Sequence, residues 1–157
     1  MRSTIERTAN ATAIVAGSQQ RQEETWRTSQ GIPPICWSGM YFRSQAALAI
    51  AKVLQEKGVL FFANSQGTAS LEGLPITKDA HGMVERLEAD FLVFRGGRCI
   101  CLEVDGRQHQ KRDHAFRDYA KERVLLREQI PTVRFPAQEC LVRPALVIAE
   151  FLNLFPV

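Results

Sequence analysis

Residues 90–109, DFLVFRGGRCICLEVDGRQH, constrain this chain more than any other stretch. Two runs rich in Val, Ile, Leu, Phe and Cys flank Gly96 and Gly97, and a Gly-Gly pair between such runs signals a two-residue hairpin, because both turn residues can take positive φ. Residues 90–94 and 99–104 therefore read as an antiparallel hairpin, with Arg95 opposite Arg98, Phe94 opposite Cys99 and, counting on, Asp90 opposite Glu103. Side chains alternate along a strand, so Asp105 shares the face of Glu103, roughly 6.6 Å further on. Facing residues have Cβ atoms about 5 Å apart, where two full charges repel by roughly 3 kcal/mol at an effective dielectric near 20. Such a hairpin calls for a cation, an arginine or a shared proton. Mg²⁺ is a natural candidate, since it is commonly held by one or two carboxylates, waters and phosphate oxygens.

The rest of the chain can supply a core around this hairpin. With 157 residues, 45% hydrophobic and 24% charged, it reads as one soluble globular domain. Four cysteines, Cys36, Cys99, Cys101 and Cys140, show no CxxC pair and no zinc-ligand spacing, and they read as reduced thiols in a cytoplasmic protein. The longest early apolar run, residues 13–17, is too short for a signal peptide, and no stretch reaches a membrane-spanning length, so no membrane partner is expected. Net charge is +3, which permits an anionic partner without demanding one. The surplus is local: residues 107–134 hold eight Lys or Arg against four Asp or Glu, and Lys111 and Arg112 are candidate substrate contacts there.

Residues 1–40 are rich in Ser, Thr, Gln and Arg with little apolar periodicity, which predicts a flexible, disordered N-terminal arm preceding a domain over residues 41–157. Trp26 and Trp37 stand out in it as side chains suited to docking on that domain or to stacking on a base, of which docking is the commoner use. Ser44 is placed to cap a helix over residues 45–57, with Gly58 just past its end and Leu48, Ala51, Leu54 and Gln55 on a buried side. The apolar run at residues 59–63 reads as a central strand ended by residues 64–67. Residues 68–83 hold no stable period and read as a long loop near the carboxylates. A helix follows over residues 113–129, and placing Tyr119 at zero on its wheel puts Ala115, Phe116, Leu126, Ile130 and Arg123 within about 60°. Pro131 stops this helix, residues 132–135 form a last strand, and Pro144 opens an apolar C-terminal helix. The predicted order is helix, three strands, helix, strand, helix.

Asp90, Glu103 and Asp105 thus form a carboxylate set on one rim of a sheet. A metal held there can polarise a phosphoryl oxygen and activate a water, as phosphodiester hydrolysis requires. His109, with an ordinary pKa near neutrality, is a candidate proton-transfer group. The alternative is a solvated hairpin end whose charge Arg86, Arg98 or Arg107 offsets. Arg123 on the apolar stripe must either snorkel to water or meet a carboxylate or phosphate. Asp118, on the flank of the same helix, reads as a solvated partner for nearby Lys or Arg.

The runs EADFLVF and ICLEVDGRQH, followed by Asp118, Arg123 and Val133-Arg134-Phe135, resemble the very-short-patch-repair-like endonucleases of the PD-(D/E)xK, or restriction-endonuclease-like, superfamily. The resemblance spans residues 41–154, and E-V-D-G-x-x-H is its most specific part. It implies an α/β fold with an αβββαβ core, a mixed central sheet flanked by helices, and Mg²⁺- or Mn²⁺-dependent hydrolysis of DNA. It also implies that Asp90 and Glu103 hold metal, with Asp105 and His109 at the family's Asp and His and Arg123 at its helix arginine. Two positions depart from the pattern: Asp105 stands where the superfamily has its lysine, and Gln45 where relatives carry a first-helix glutamate. A second expectation follows from these departures, a weakened nuclease fold that binds nucleic acid or a protein without cutting.

Overall fold

Ser44 caps the first helix of the described residues. Its backbone is extended, and its Oγ accepts a hydrogen bond from the Ala47 N–H at 3.1 Å, satisfying one of the donors a helix start leaves open. The helix it opens, α1, spans Gln45–Glu56. Gly58, at φ +64°, reverses the chain after α1 in the left-handed region that glycine enters without a Cβ penalty. The computed structural model describes residues 34–69, 87–106 and 112–156, the side chains of 112–117 excepted.

Before α1 lies a two-stranded antiparallel hairpin, β1 (Ile35–Trp37) and β2 (Met40–Phe42). Ile35, Trp37 and Met40 pack on the main core, and the Trp37 ring lies 6.2 Å from that of Phe42, so Trp37 docks on the domain. Residues 35–40 thus belong to the fold rather than to the arm expected over residues 1–40, because their hairpin pairing and apolar side chains tie them to the core; residues 1–33, including Trp26, lie outside the described residues. The main sheet has four strands in the order β3-β4-β5-β6: Leu60–Gly67, Leu87–Arg95, Arg98–Asp105 and Thr132–Pro136. The first three are antiparallel, while β6 runs parallel to β5, as the intervening helix α2 (Arg112–Arg127) allows. The turn joining β4 to β5 is Gly96-Gly97, at φ +57° and +74°, and its register pairs Arg95 with Arg98 and Phe94 with Cys99 as the Gly-Gly signal predicts.

One face of the sheet carries Phe91, Val93, Ile100 and Leu102 into a core completed by Leu48, Ile50 and Leu54 of α1. Two further helices, α3 (Ala137–Val142) and α4 (Pro144–Leu152), close the same side through Cys140, Val147, Ile148 and Phe151. Pro144 opens α4, where a missing N–H costs nothing. Helix α2 lies on the opposite face. The molecule is thus an α/β protein with a four-stranded mixed sheet and helices on both sides.

Three sequence expectations change here. Strand β3 is an edge strand rather than a central one: Phe61 and Ala63 face the core, but Leu60 and Phe62 are 60% and 55% exposed on the other face, beyond the cover of α2. The strand also runs on to Gly67, paired with Leu87, passing through Asn64 at φ +51°, whose side-chain amide donates to the Tyr41 carbonyl. Gln55 is exposed, because the buried side of α1 centres on Ile50, Ala51 and Leu54. Most of the loop expected at residues 68–83 lies outside the described residues.

Candidate active site

The sheet face beneath α2 carries a transverse row of charge. In β4 and β5, Phe91 pairs with Leu102, and the next residues along are Asp90 and Glu103. In β5 and β6, Glu103 pairs with Arg134. Alternation places Asp90, Glu103 and Arg134 on the face opposite the Phe91 and Leu102 core, so three neighbouring strands contribute one ionisable side chain each.

Each member of the row has defined partners. Asp90 Oδ2 accepts the Val104 N–H at 2.9 Å, across the hairpin. Glu103 Oε1 accepts from Lys121 Nζ at 2.9 Å and from the Cys101 thiol at 3.3 Å. Among the described residues, Asp90 Oδ1 and Glu103 Oε2 carry no hydrogen bond. Arg134 donates to Glu122 Oε1 at 2.6 and 2.9 Å and reaches Asp118 Oδ2 at 3.5 Å, tying β6 to α2. Arg43, just before α1, pairs with Glu88 at 2.8 Å near the start of β4.

The electrostatics follow from this packing. Burial and then the charge of Glu103 push Asp90 up to about 6, while its hydrogen bond from Val104 and the charges of Lys121 and Arg43 pull the other way. Burial, followed by the charge of Glu103, also raises the Cys101 thiol, so this cysteine stays protonated and serves as a hydrogen-bond donor rather than a nucleophile. At Arg134, burial works against the cation, but the Glu122 hydrogen bond and the charges of Glu122, Asp118 and Glu103 outweigh it.

Lys121 is the residue sequence reasoning missed. Only 9% exposed, it is the one charged residue among the buried side chains described, and besides Glu103 it donates to the Glu88 carbonyl at 3.0 Å. The inward side of α2 is formed by Ala120, Lys121 and Val124, centred about 150° around the wheel from Tyr119 at 100° per residue. The described members of the expected stripe within the helix therefore face water, with Tyr119 59% and Leu126 64% exposed, while Ile130 beyond its end is half-buried. Arg123 is exposed with them, its Nε donating to the Tyr119 carbonyl at 3.4 Å, and it meets neither Asp90 nor Glu103. Large side chains mark that stripe, but the close approach of helix to sheet selects the small Ala120 and Val124. The available signal was the hairpin's need for a cation, together with a lysine adjoining small apolar residues in the crossover helix.

The remaining candidates divide. Asp105 is exposed at the end of β5, in register with Pro136. Asp118 has the basic partner expected of it, Arg134. Gln45 is exposed in the first position of α1. Arg112 starts α2, but its side chain, like Lys111, His109, Arg107 and Arg86, lies outside the described residues. Among the described residues no group of three or more His, Cys, Asp or Glu is arranged to hold a metal ion. Among the described residues one oxygen of Asp90 and one of Glu103 carry no hydrogen bond, and one or two carboxylates are what a protein commonly offers Mg²⁺.

No family model, curated protein or solved structure matches this chain. No helix among the described residues is long and apolar enough to cross a membrane.

Proposed function

We propose that this protein is a Mg²⁺- or Mn²⁺-dependent DNA endonuclease with a restriction-endonuclease-like core. The observation that carries the reading is the buried row in which Asp90 and Glu103 lie on neighbouring strands with Lys121 2.9 Å from Glu103. It joins two carboxylates and a lysine, although the lysine comes from α2 rather than from the strand. The order α1, β3, β4, β5, α2, β6, with β6 parallel to β5, also accords with an αβββαβ core. A divalent ion held by Asp90 and Glu103 would polarise a phosphoryl oxygen and lower the pKa of a water. Around it, Lys121 adds positive charge beside the carboxylates, and Asp105 at the open end of β5 orients water. Arg123, on the exposed side of α2, reaches phosphate outside the reacting centre, joined by Lys111 and Arg112. His109 is assigned proton transfer from its place in the E-V-D-G-x-x-H motif.

A second reading, a nuclease fold that binds nucleic acid or a protein partner without cutting, draws on a specific observation: one oxygen of Glu103 is already held by Lys121 and Cys101. Incubating the full chain with plasmid and single-stranded DNA in Mg²⁺ or Mn²⁺ separates the two. Metal-dependent nicking that Glu103→Ala abolishes establishes the enzyme. DNA retention without nicking supports the binding module instead.

A further inference from the structure

We infer that Lys121 is a built-in counter-cation for the Asp90 and Glu103 pair, and that a divalent ion binding there competes with it and displaces it from Glu103. The inference rests on the reading that this pair takes a divalent ion. Three features of the chain carry it. The ammonium of Lys121 is fixed by two acceptors, Glu103 Oε1 at 2.9 Å and the Glu88 carbonyl at 3.0 Å, so it holds a defined position on the carboxylate row. Its side chain and that of Glu103 are only 11% and 13% exposed, so water screens their attraction weakly. It comes from the middle of α2, whereas the carboxylates belong to β4 and β5, so a lysine rotamer change can free Glu103 without disturbing the hairpin.

The charge balance gives the consequence. Two ionised carboxylates and one ammonium leave this part of the row at a net charge of minus one. A divalent ion must then be held against a fixed positive charge in the same weakly screened space, which lowers its affinity. Once the ion is seated, the repulsion acts in the other direction and expels the ammonium toward the next available acceptor. That acceptor is water, because the Glu88 carbonyl already holds the ammonium at 3.0 Å in the position from which the ion repels it. Lys121 is thus a positioning residue: it keeps the carboxylates apart from other cations until a divalent ion takes its place.

Two measurements on the full chain test this, neither depending on DNA cleavage. In calorimetric titration with Mn²⁺ alone, Lys121→Met should bind at least about tenfold more tightly than the native chain, because a like charge within a few ångströms has gone. Lys121→Arg, which keeps the charge, should bind as weakly as the native protein. In the native chain, amine-directed chemical labelling read by mass spectrometry should find Lys121 protected without metal and reactive at saturating Mn²⁺, a result that does not require any variant to fold. Equal Mn²⁺ affinity in the native and Met chains, or unchanged labelling of Lys121, overturns the inference while leaving the endonuclease reading intact. Binding by Lys121→Met but not by the native chain overturns the displacement, since Lys121 then shuts the ion out of the pair, and removes the metal-dependent activity. Binding by neither overturns both.

Discussion

Lys121 in the crossover helix and Glu103 in β5 form an ion pair of 2.9 Å across the helix and sheet layers, with both side chains largely excluded from water. Breaking such a pair from one side leaves a buried charge without its partner, which typically costs about 3–5 kcal/mol, whereas removing both partners costs much less. In metal-free buffer, Lys121→Met should therefore lower unfolding free energy by about 3 kcal/mol. The double variant with Glu103→Gln should lose clearly less than the sum of the two single changes. Urea denaturation of the four proteins in the cycle checks this, and additive losses would show that the two side chains do not stabilise one another.

The carboxylate row also sets a pH dependence. Asp90 titrates at about 6 in the folded protein against 3.8 for the free side chain, so between these values the folded state holds the proton more tightly than the unfolded one. Stability contributed by this group is therefore fully present below about pH 4, falls as pH rises to about 6 and is level above that, a change of about 2–3 kcal/mol. Asp90→Asn has no such proton to lose. With chelator present, the native minus variant difference in unfolding free energy should decline across that window, and a difference independent of pH would rule out the assignment.

Divalent ions should reverse part of this cost. Because Asp90 and Glu103 repel one another, Mg²⁺ or Mn²⁺ should raise the melting temperature by binding the folded state alone. Glu103→Gln should abolish most of that rise while leaving the metal-free protein without the repulsion. A variant whose melting temperature responds to metal as the native chain does would show that the ions bind elsewhere.

Arg123 faces water, where its Nε donates to the carbonyl of Tyr119 one turn earlier in α2. Arg123→Met should consequently change stability by no more than about 0.5 kcal/mol, as for surface substitutions away from buried features. If Arg123 contacts phosphate, DNA affinity should fall and its salt dependence should become shallower by about one unit of slope. A stable variant with unchanged affinity and slope removes Arg123 from the interface.

The amino-acid pattern by itself determined the local features of this protein. Gly96 and Gly97 impose the turn and hence the hairpin register, which sets Asp90 and Glu103 on one face, and Ser44 and Gly58 bound α1 because capping and positive φ act over a few residues. Tertiary structure decided which surfaces those elements cover. Among the described residues, the apolar run of β3 pairs with one strand only and Leu60 and Phe62 stay exposed, something the run itself cannot specify. In α2 the wheel correctly groups Tyr119, Arg123 and Leu126, but the sheet takes the other side, where Ala120 and Val124 permit close approach and Lys121 meets Glu103. Periodicity states which side chains share a face. Which face is buried depends on the shape and charge of the layer packed against it, and here that layer is assembled from strands distant in the chain.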